Sequence, residues 1–176
     1  TIVLDRTASM ATGEPLRWHG ARRLAAILGA LALVRLDGLA LVAGPERVRV
    51  LSGAAAVGRL LETLEGLTNG AEAALDCLRV PVERGWPGPV LWLSDFAEPE
   101  PAALALRWLR RHGRRCVGWL PELLDDRAPR LGGRVRLRDP ETGAEDVLEL
   151  DAALRQAMAE ELRVLARQQD AMFAAV

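Results

Sequence analysis

The sequence predicts an α/β fold: a doubly wound, mostly parallel sheet with one antiparallel edge strand and helices on both faces, followed by a C-terminal β-hairpin and helix. Three observations predict it. Short apolar runs without alternation, such as Val90-Leu91-Trp92-Leu93, mark strands buried on both faces. Segments of helical length separate these runs, so that strand and helix alternate along most of the chain. One link, Gly44-Pro45-Glu46, is far too short for the crossover that joins parallel strands, and the strand after it must return antiparallel.

Taken in order, Thr1 to Leu4 is an apolar strand ending at Asp5, and Arg6 to Pro15 is a polar loop rich in Thr, Ser, Gly and Pro. From Leu16 to about Leu36 apolar positions cover nearly every side of a helix, leaving Arg17, Arg22, Arg23 and Arg35 for water. That is the pattern of a helix buried against a sheet. Leu39 to Ala43 is a wholly apolar strand, and the alternation of Arg47 to Leu51 suits a half-exposed edge. Ala54 to Leu64 and Ala71 to Leu78 are expected helices, separated by the turn Glu65 to Gly70 with its two glycines.

After Trp86-Pro87-Gly88-Pro89 comes the central parallel strand Val90 to Leu93, which ends in Ser94-Asp95. Pro101 to His112 is the next helix, closed by Gly113, and Cys116 to Leu120 is a further buried strand. Arg134 to Arg138 and Asp146 to Leu150 flank Asp139-Pro140-Glu141-Thr142-Gly143, whose turn chemistry predicts a hairpin. Asp151 is placed to cap a last helix in which Leu154, Met158, Leu162, Leu165 and Met172 form one apolar stripe, expected to be core.

The composition fits one globular domain over residues 1–176: half of the residues are apolar and 27% are charged, with no repeat, low-complexity tract or long linker. A net charge of -1 and a pI near 6.1 argue against a general grip on nucleic acid. Every one of the 23 Lys and Arg residues is an arginine, and the series at Arg110 to Arg115 and at Arg134, Arg136 and Arg138 is expected on solvated faces. Cys77 and Cys116 sit in apolar stretches and are expected as buried thiols of a reducing compartment, a disulfide being the lesser reading. The longest nearly apolar run, Leu24 to Val34, is well short of the ~20 residues that cross a bilayer. The expected location is cytoplasmic. Because the chain opens at Thr1 inside a strand, it is expected to be excised from a longer one that could carry a membrane anchor.

In a doubly wound sheet, ligands collect at the carboxyl ends of strands where the winding reverses, and Asp5 and Asp95 both lie at such ends. Two carboxylates in one crevice without an evident basic partner repel unless a cation lies between them. Asp5, Thr7 and Ser9 put oxygen side chains at alternate positions, which in an extended loop point to one side. Such hard donors suit magnesium, manganese or calcium. The simpler alternative is that Asp5 and Ser9 cap the first turn of the long helix and Asp95 caps the loop before Pro99. His19 and His112 have no Cys or His at ligand spacing and are expected on helix surfaces; Trp86, in its Pro/Gly loop, is the tryptophan expected to be exposed.

Thr1-Ile-Val-Leu-Asp-Arg-Thr-Ala-Ser-Met10, together with Leu91-Trp-Leu-Ser-Asp-Phe96, resembles the von Willebrand factor A fold and its metal-ion-dependent adhesion site, whose opening signature is Asp-x-Ser-x-Ser. More narrowly, the Ser-Asp-Phe strand end and the turn Asp139 to Gly143 are similar to those of the bacterial domain-of-unknown-function 58 proteins. The resemblance implies that Thr7 and Ser9 supply hydroxyl ligands while Asp5 and Asp95 hold a Mg2+, Mn2+ or Ca2+ ion directly or through water. The family's third-loop threonine falls on Thr68, or on Asn69 when counted back from Ala74-Leu75.

The implied function is a non-enzymatic, metal-dependent interaction module that captures a glutamate or aspartate of a protein partner. The family association points to a MoxR-type AAA+ ATPase or its substrate, for which the module would be an adaptor or co-chaperone. Two alternatives stand beside it. A phosphatase-like hydrolase would use Asp5 as nucleophile, but its second carboxylate two positions on is replaced by Thr7, and no nucleophile elbow, phosphate loop or dinucleotide fingerprint is present. A metal-free domain would bind partners through its helices alone.

Overall fold

The computed structural model describes residues 1–13, 16–35, 37–44, 46–69, 74–121 and 131–174. Its strands are β1 (Ile2–Leu4), β2 (Gly38–Val42), β3 (Val48–Ser52), β4 (Val90–Leu93), β5 (Cys116–Trp119), β6 (Gly133–Arg138) and β7 (Glu145–Leu150). Its helices are α1 (Arg17–Val34), α2 (Val57–Glu65), α3 (Ala74–Cys77), α4 (Val80–Glu83), α5 (Pro99–Arg111) and α6 (Ala152–Ala174). Short 3-10 turns over Ala8–Ala11 and Ala54–Ala56 precede α1 and α2.

A mixed five-stranded sheet in the order β3-β2-β1-β4-β5 organises the chain. β1 pairs in parallel with β2 and β4, β4 pairs in parallel with β5, and only β2 and β3 are antiparallel, in register from Gly38 opposite Ser52 to Val42 opposite Val48. β6 and β7 form a separate antiparallel hairpin.

Side chains that alternate along the strands feed two cores. Ile2 and Leu4 of β1 pack with Leu39, Leu41 and Leu93 under α1 and α2, whereas Val3 packs with Val42, Val90 and Trp92 under α5. On α1 the sheet-facing side is built from Ala21, Ala25, Gly29 and Leu33, four residues apart. A Cβ on Gly29 would lie 2.7 Å from Leu60, so α1 and α2 approach closely only because that side chain is absent.

The expectation that α1 is buried all round is corrected. Ile27 and Val34 are 58% and 61% exposed, because one side of the helix, Trp18, Ala21, Ala25, Gly29 and Leu33, is buried and no described residue covers the reverse. Likewise the last strand is not buried: β5 is an edge of the sheet, and Val117 is 60% exposed. Of the 71–78 helix, residues 71–73 lie outside the described ones, as does Leu36. The additional helix α4 follows from Pro81 in its first turn, where a missing N–H costs no hydrogen bond. Trp86 is half-buried, with the Arg84 guanidinium 5.6 Å from its ring centre.

Asp151 does cap α6, its Oδ1 accepting the Leu154 N–H at 2.8 Å. The stripe on this helix is core only near its end. Met172 is buried, but Leu154, Met158, Leu162 and Leu165 are half-exposed. What docks the helix is Phe173, edge-on to Phe96 at 4.9 Å and lying over Gly118 of β5. Neither cysteine is in a disulfide; Cys77 is buried and Cys116 half-buried. No helix among the described residues is long and apolar enough to cross a membrane.

A Cβ at position 118 would fall 2.0 Å from the Phe173 ring. Gly118→Ala should therefore destabilise the protein by ~1–3 kcal/mol, as overpacking does. In a Phe173→Ala background the same change should cost much less; urea unfolding of the four proteins would show an equal cost in both backgrounds if the ring were not the obstacle.

Candidate functional site

With β1 in the middle of the sheet, its neighbours are reached by connections that leave in opposite directions, and the crevice this creates lies beyond the carboxyl ends of β1 and β4. Asp5 follows β1, and Ser94-Asp95 follows β4. The Asp5 N–H still donates to the Leu93 carbonyl at 2.9 Å, so the sheet pairing itself holds the two strand ends together.

Asp5 is only 4% exposed. Its Oδ1 accepts the Thr7 N–H at 2.9 Å and the Thr7 hydroxyl at 2.7 Å, and its Oδ2 accepts the Ser94 hydroxyl at 2.6 Å. The Thr7 hydroxyl lies 3.1 Å from that of Ser9. The alternate spacing of these residues thus does gather three oxygen side chains on one side of the loop. Asp95 is half-buried, with its Oδ1 accepting the Ala97 N–H at 3.3 Å.

Asp5, Thr7, Ser9 and Asp95 line one cavity of about 360 Å³, which Glu98 and Glu141 also line. Among the described residues, four acidic ones and no basic one line this space. Burial drives the Asp5 carboxyl above the usual carboxylate range; hydrogen bonds from Ser94 and Thr7 pull it back in part, and the charge of Asp95 pushes it up further. Among the described residues no three His, Cys, Asp or Glu side chains are close enough to hold a metal ion by themselves. The donor set for a hard cation would have to include the Thr7 and Ser9 hydroxyls, and their mutual distance fits that use.

The side chain of Thr68 is not brought to this cavity. Thr68 is exposed, and its backbone carbonyl accepts the Arg6 Nε–H at 2.6 Å. Asn69 comes nearer, its Nδ2 donating to the Thr7 carbonyl at 3.4 Å. His19 and His112 are exposed on their helices, and Arg110, Arg111, Arg115, Arg134, Arg136 and Arg138 are exposed as well.

Several supporting residues were not picked out from the sequence. Ser94 was legible only as part of a strand-end motif, yet it supplies the shortest hydrogen bond to Asp5. Arg6 is buried and does not line the cavity; it donates to the carbonyls of Thr68 and, at 2.8 Å, Ala43, so it ties the β1 loop to two others. Phe96 is buried with φ +48, a left-handed conformation costly for a bulky residue; the Ser94 hydroxyl accepts its N–H at 3.1 Å and Gln169 donates to its carbonyl at 3.1 Å. Trp92 also lines the cavity, and its buried indole N–H has no partner among the described residues. Glu141 carried no signal beyond its place in a turn.

Because the folded protein holds the Asp5 proton more tightly than the unfolded chain, ionising Asp5 costs stability. In chelator, wild-type stability should fall as pH rises from the ordinary carboxylate value through the raised value of Asp5, and be level above it. Asp5→Asn lacks this loss, so its stability relative to wild type should increase with pH across that window in urea unfolding; a relative decrease would mean a lowered carboxyl. Ser94→Ala removes the largest influence holding the carboxyl down and should move the window upward.

Compared with known proteins, the chain matches no family model, no curated protein and no solved structure.

Proposed function

We propose that this chain is a metal-ion-dependent protein-interaction module of the von Willebrand factor A kind, with a doubly wound sheet and an adhesion site formed by Asp5, Thr7, Ser9 and Asp95. The observation that carries this reading is a buried carboxyl, Asp5, hydrogen-bonded by hydroxyls in a cavity that, among the described residues, is lined by four acidic ones and no basic one. Buried charge of one sign calls for a counter-charge. Asp5, Thr7, Ser9 and Asp95 would hold Mg2+, Mn2+ or Ca2+, directly or through water; of the two third-loop candidates Asn69, at the Thr7 carbonyl, is the nearer, and the Thr68 side chain does not line the cavity. When bound, the ion supplies positive charge and an exchangeable coordination position.

The protein's own residues do the rest. Ser94 and Thr7 orient the Asp5 carboxylate, and Arg6 fixes the loops around it. A partner's glutamate or aspartate would otherwise approach the acidic lining of this cavity at like charge, with Arg17, Arg163 and Arg167 lining only the adjoining space, so capture requires the cation. No bond is made or broken, and the module is an adaptor or co-chaperone whose partner is a MoxR-type AAA+ ATPase or its substrate.

Calorimetry with Mg2+ and Mn2+ should show Asp5→Ala weakening affinity by about tenfold or more, on the scale of a lost metal-site group, with the fold intact. Asp95→Asn should do more damage than Thr68→Ala, because it removes a charge. Equal affinity in Asp5→Ala and wild type would place the ion elsewhere. Co-precipitation of a MoxR-type ATPase should be lost with chelator and with Ser9→Ala; capture unchanged in both would remove the ion from the interaction.

A further inference from the structure

The hairpin β6–β7 is remote in sequence from the site, yet its tip reaches it: the Ser9 N–H donates to Glu141 Oε1 at 2.7 Å. Glu141 thereby lines the same cavity as Asp5, Thr7, Ser9 and Asp95. Its neighbour Pro140 lines a second, adjoining cavity of about 770 Å³ that shares Ser9, Asp95 and Ala97 with the first.

The turn that aims Glu141 is built without its side chain. Asp139 Oδ1 accepts the Glu141 N–H at 2.8 Å, Asp139 Oδ2 accepts the Thr142 hydroxyl at 2.6 Å, and the Gly143 N–H donates to the Asp139 carbonyl at 2.8 Å. Gly143 supplies the positive φ, +72, that lets the chain turn back. A carboxylate is therefore held at the lip of this acidic cavity by a preformed loop, with the Ser9 backbone N–H as its contact and Asp5 and Asp95 in the same lining.

We infer that Glu141 is the protein's own carboxylate ligand at this site, occupying the position that a partner's acid must take over. The inference rests on the cation reading above. It adds that the hairpin tip is a tethered competitor: an isolated carboxylate in solution meets a site already filled from within, and only a partner with further contacts displaces it. Displacing the tip would also move Pro140 at the wall of the adjoining cavity.

Glu141→Gln separates this from a simple cap on the 3-10 turn, because an amide oxygen still accepts the Ser9 N–H but carries no charge. Mn2+ would be titrated into wild type, Glu141→Gln and Asp5→Ala, with affinity read by calorimetry and water access to the bound ion by proton relaxation. Expected are a Kd for Glu141→Gln raised about tenfold, within the range for groups at metal sites, and a larger relaxation per bound ion as water takes the vacated position. Acetate, as the carboxylate probe, should reverse that gain at a several-fold lower concentration than affects wild type. Unchanged Kd and relaxation in Glu141→Gln, with binding still lost in Asp5→Ala, would overturn the inference and leave the metal site standing. No Mn2+ uptake by wild type would overturn both.

Discussion

The structure depends on one uncomfortable placement: an aspartate carboxyl at the end of the central strand, almost wholly removed from water. β1 is three residues long and buried throughout, and it pairs on both sides, so the chain has no freedom to swing Asp5 outward. Three hydrogen bonds from Thr7 and Ser94 compensate the lost hydration, and burial still outweighs them. Much of the surrounding loop structure serves that compensation. Arg6 ties Thr68 and Ala43, Phe96 takes a left-handed backbone, and its N–H occupies the Ser94 hydroxyl that itself donates to Asp5. The site is thus held from several elements at once, with no single loop able to relax alone.

Most of the sheet was legible because it is written in local patterns. β1 and β4 read as strands from unbroken apolar runs, and the antiparallel β3 followed from a link too short for anything else. Asp151 as a cap was equally local. Exposure was less legible, because it depends on what lies opposite. The composition of α1 says that it is apolar; it does not say that Trp18, Ala21, Ala25, Gly29 and Leu33 are the buried residues while Ile27 and Val34 stay outside. β5 has the same apolar character as β4, and only its place at the end of the strand order exposes Val117.

Within the site, the contrast is between spacing and long-range contact. Asp5, Thr7 and Ser9 are two residues apart, and their meeting was predictable from an extended loop. Asp95 was predictable from topology. The meeting of Ser9 with Glu141 joins residues 132 positions apart through a hairpin outside the main sheet, and no periodicity encodes it. Thr68 illustrates the reverse: the residue type suits a hydroxyl ligand, but the backbone is turned so that its carbonyl, not its hydroxyl, serves the loop through Arg6.

The two cysteines carry a practical consequence of the way the second core is packed. Cys77 is buried away from reagents in solution, and burial pushes the Cys116 thiol up to about 12, so that Cys116 presents little thiolate at neutral pH while the protein is folded. Both belong to the same apolar cluster, one in α3 and one in β5. A thiol-reactive dye is therefore a built-in clock for the opening of that half of the molecule: labelling at Cys116 times the departure of the edge strand, and labelling at Cys77 times the exposure of the layer beneath α5.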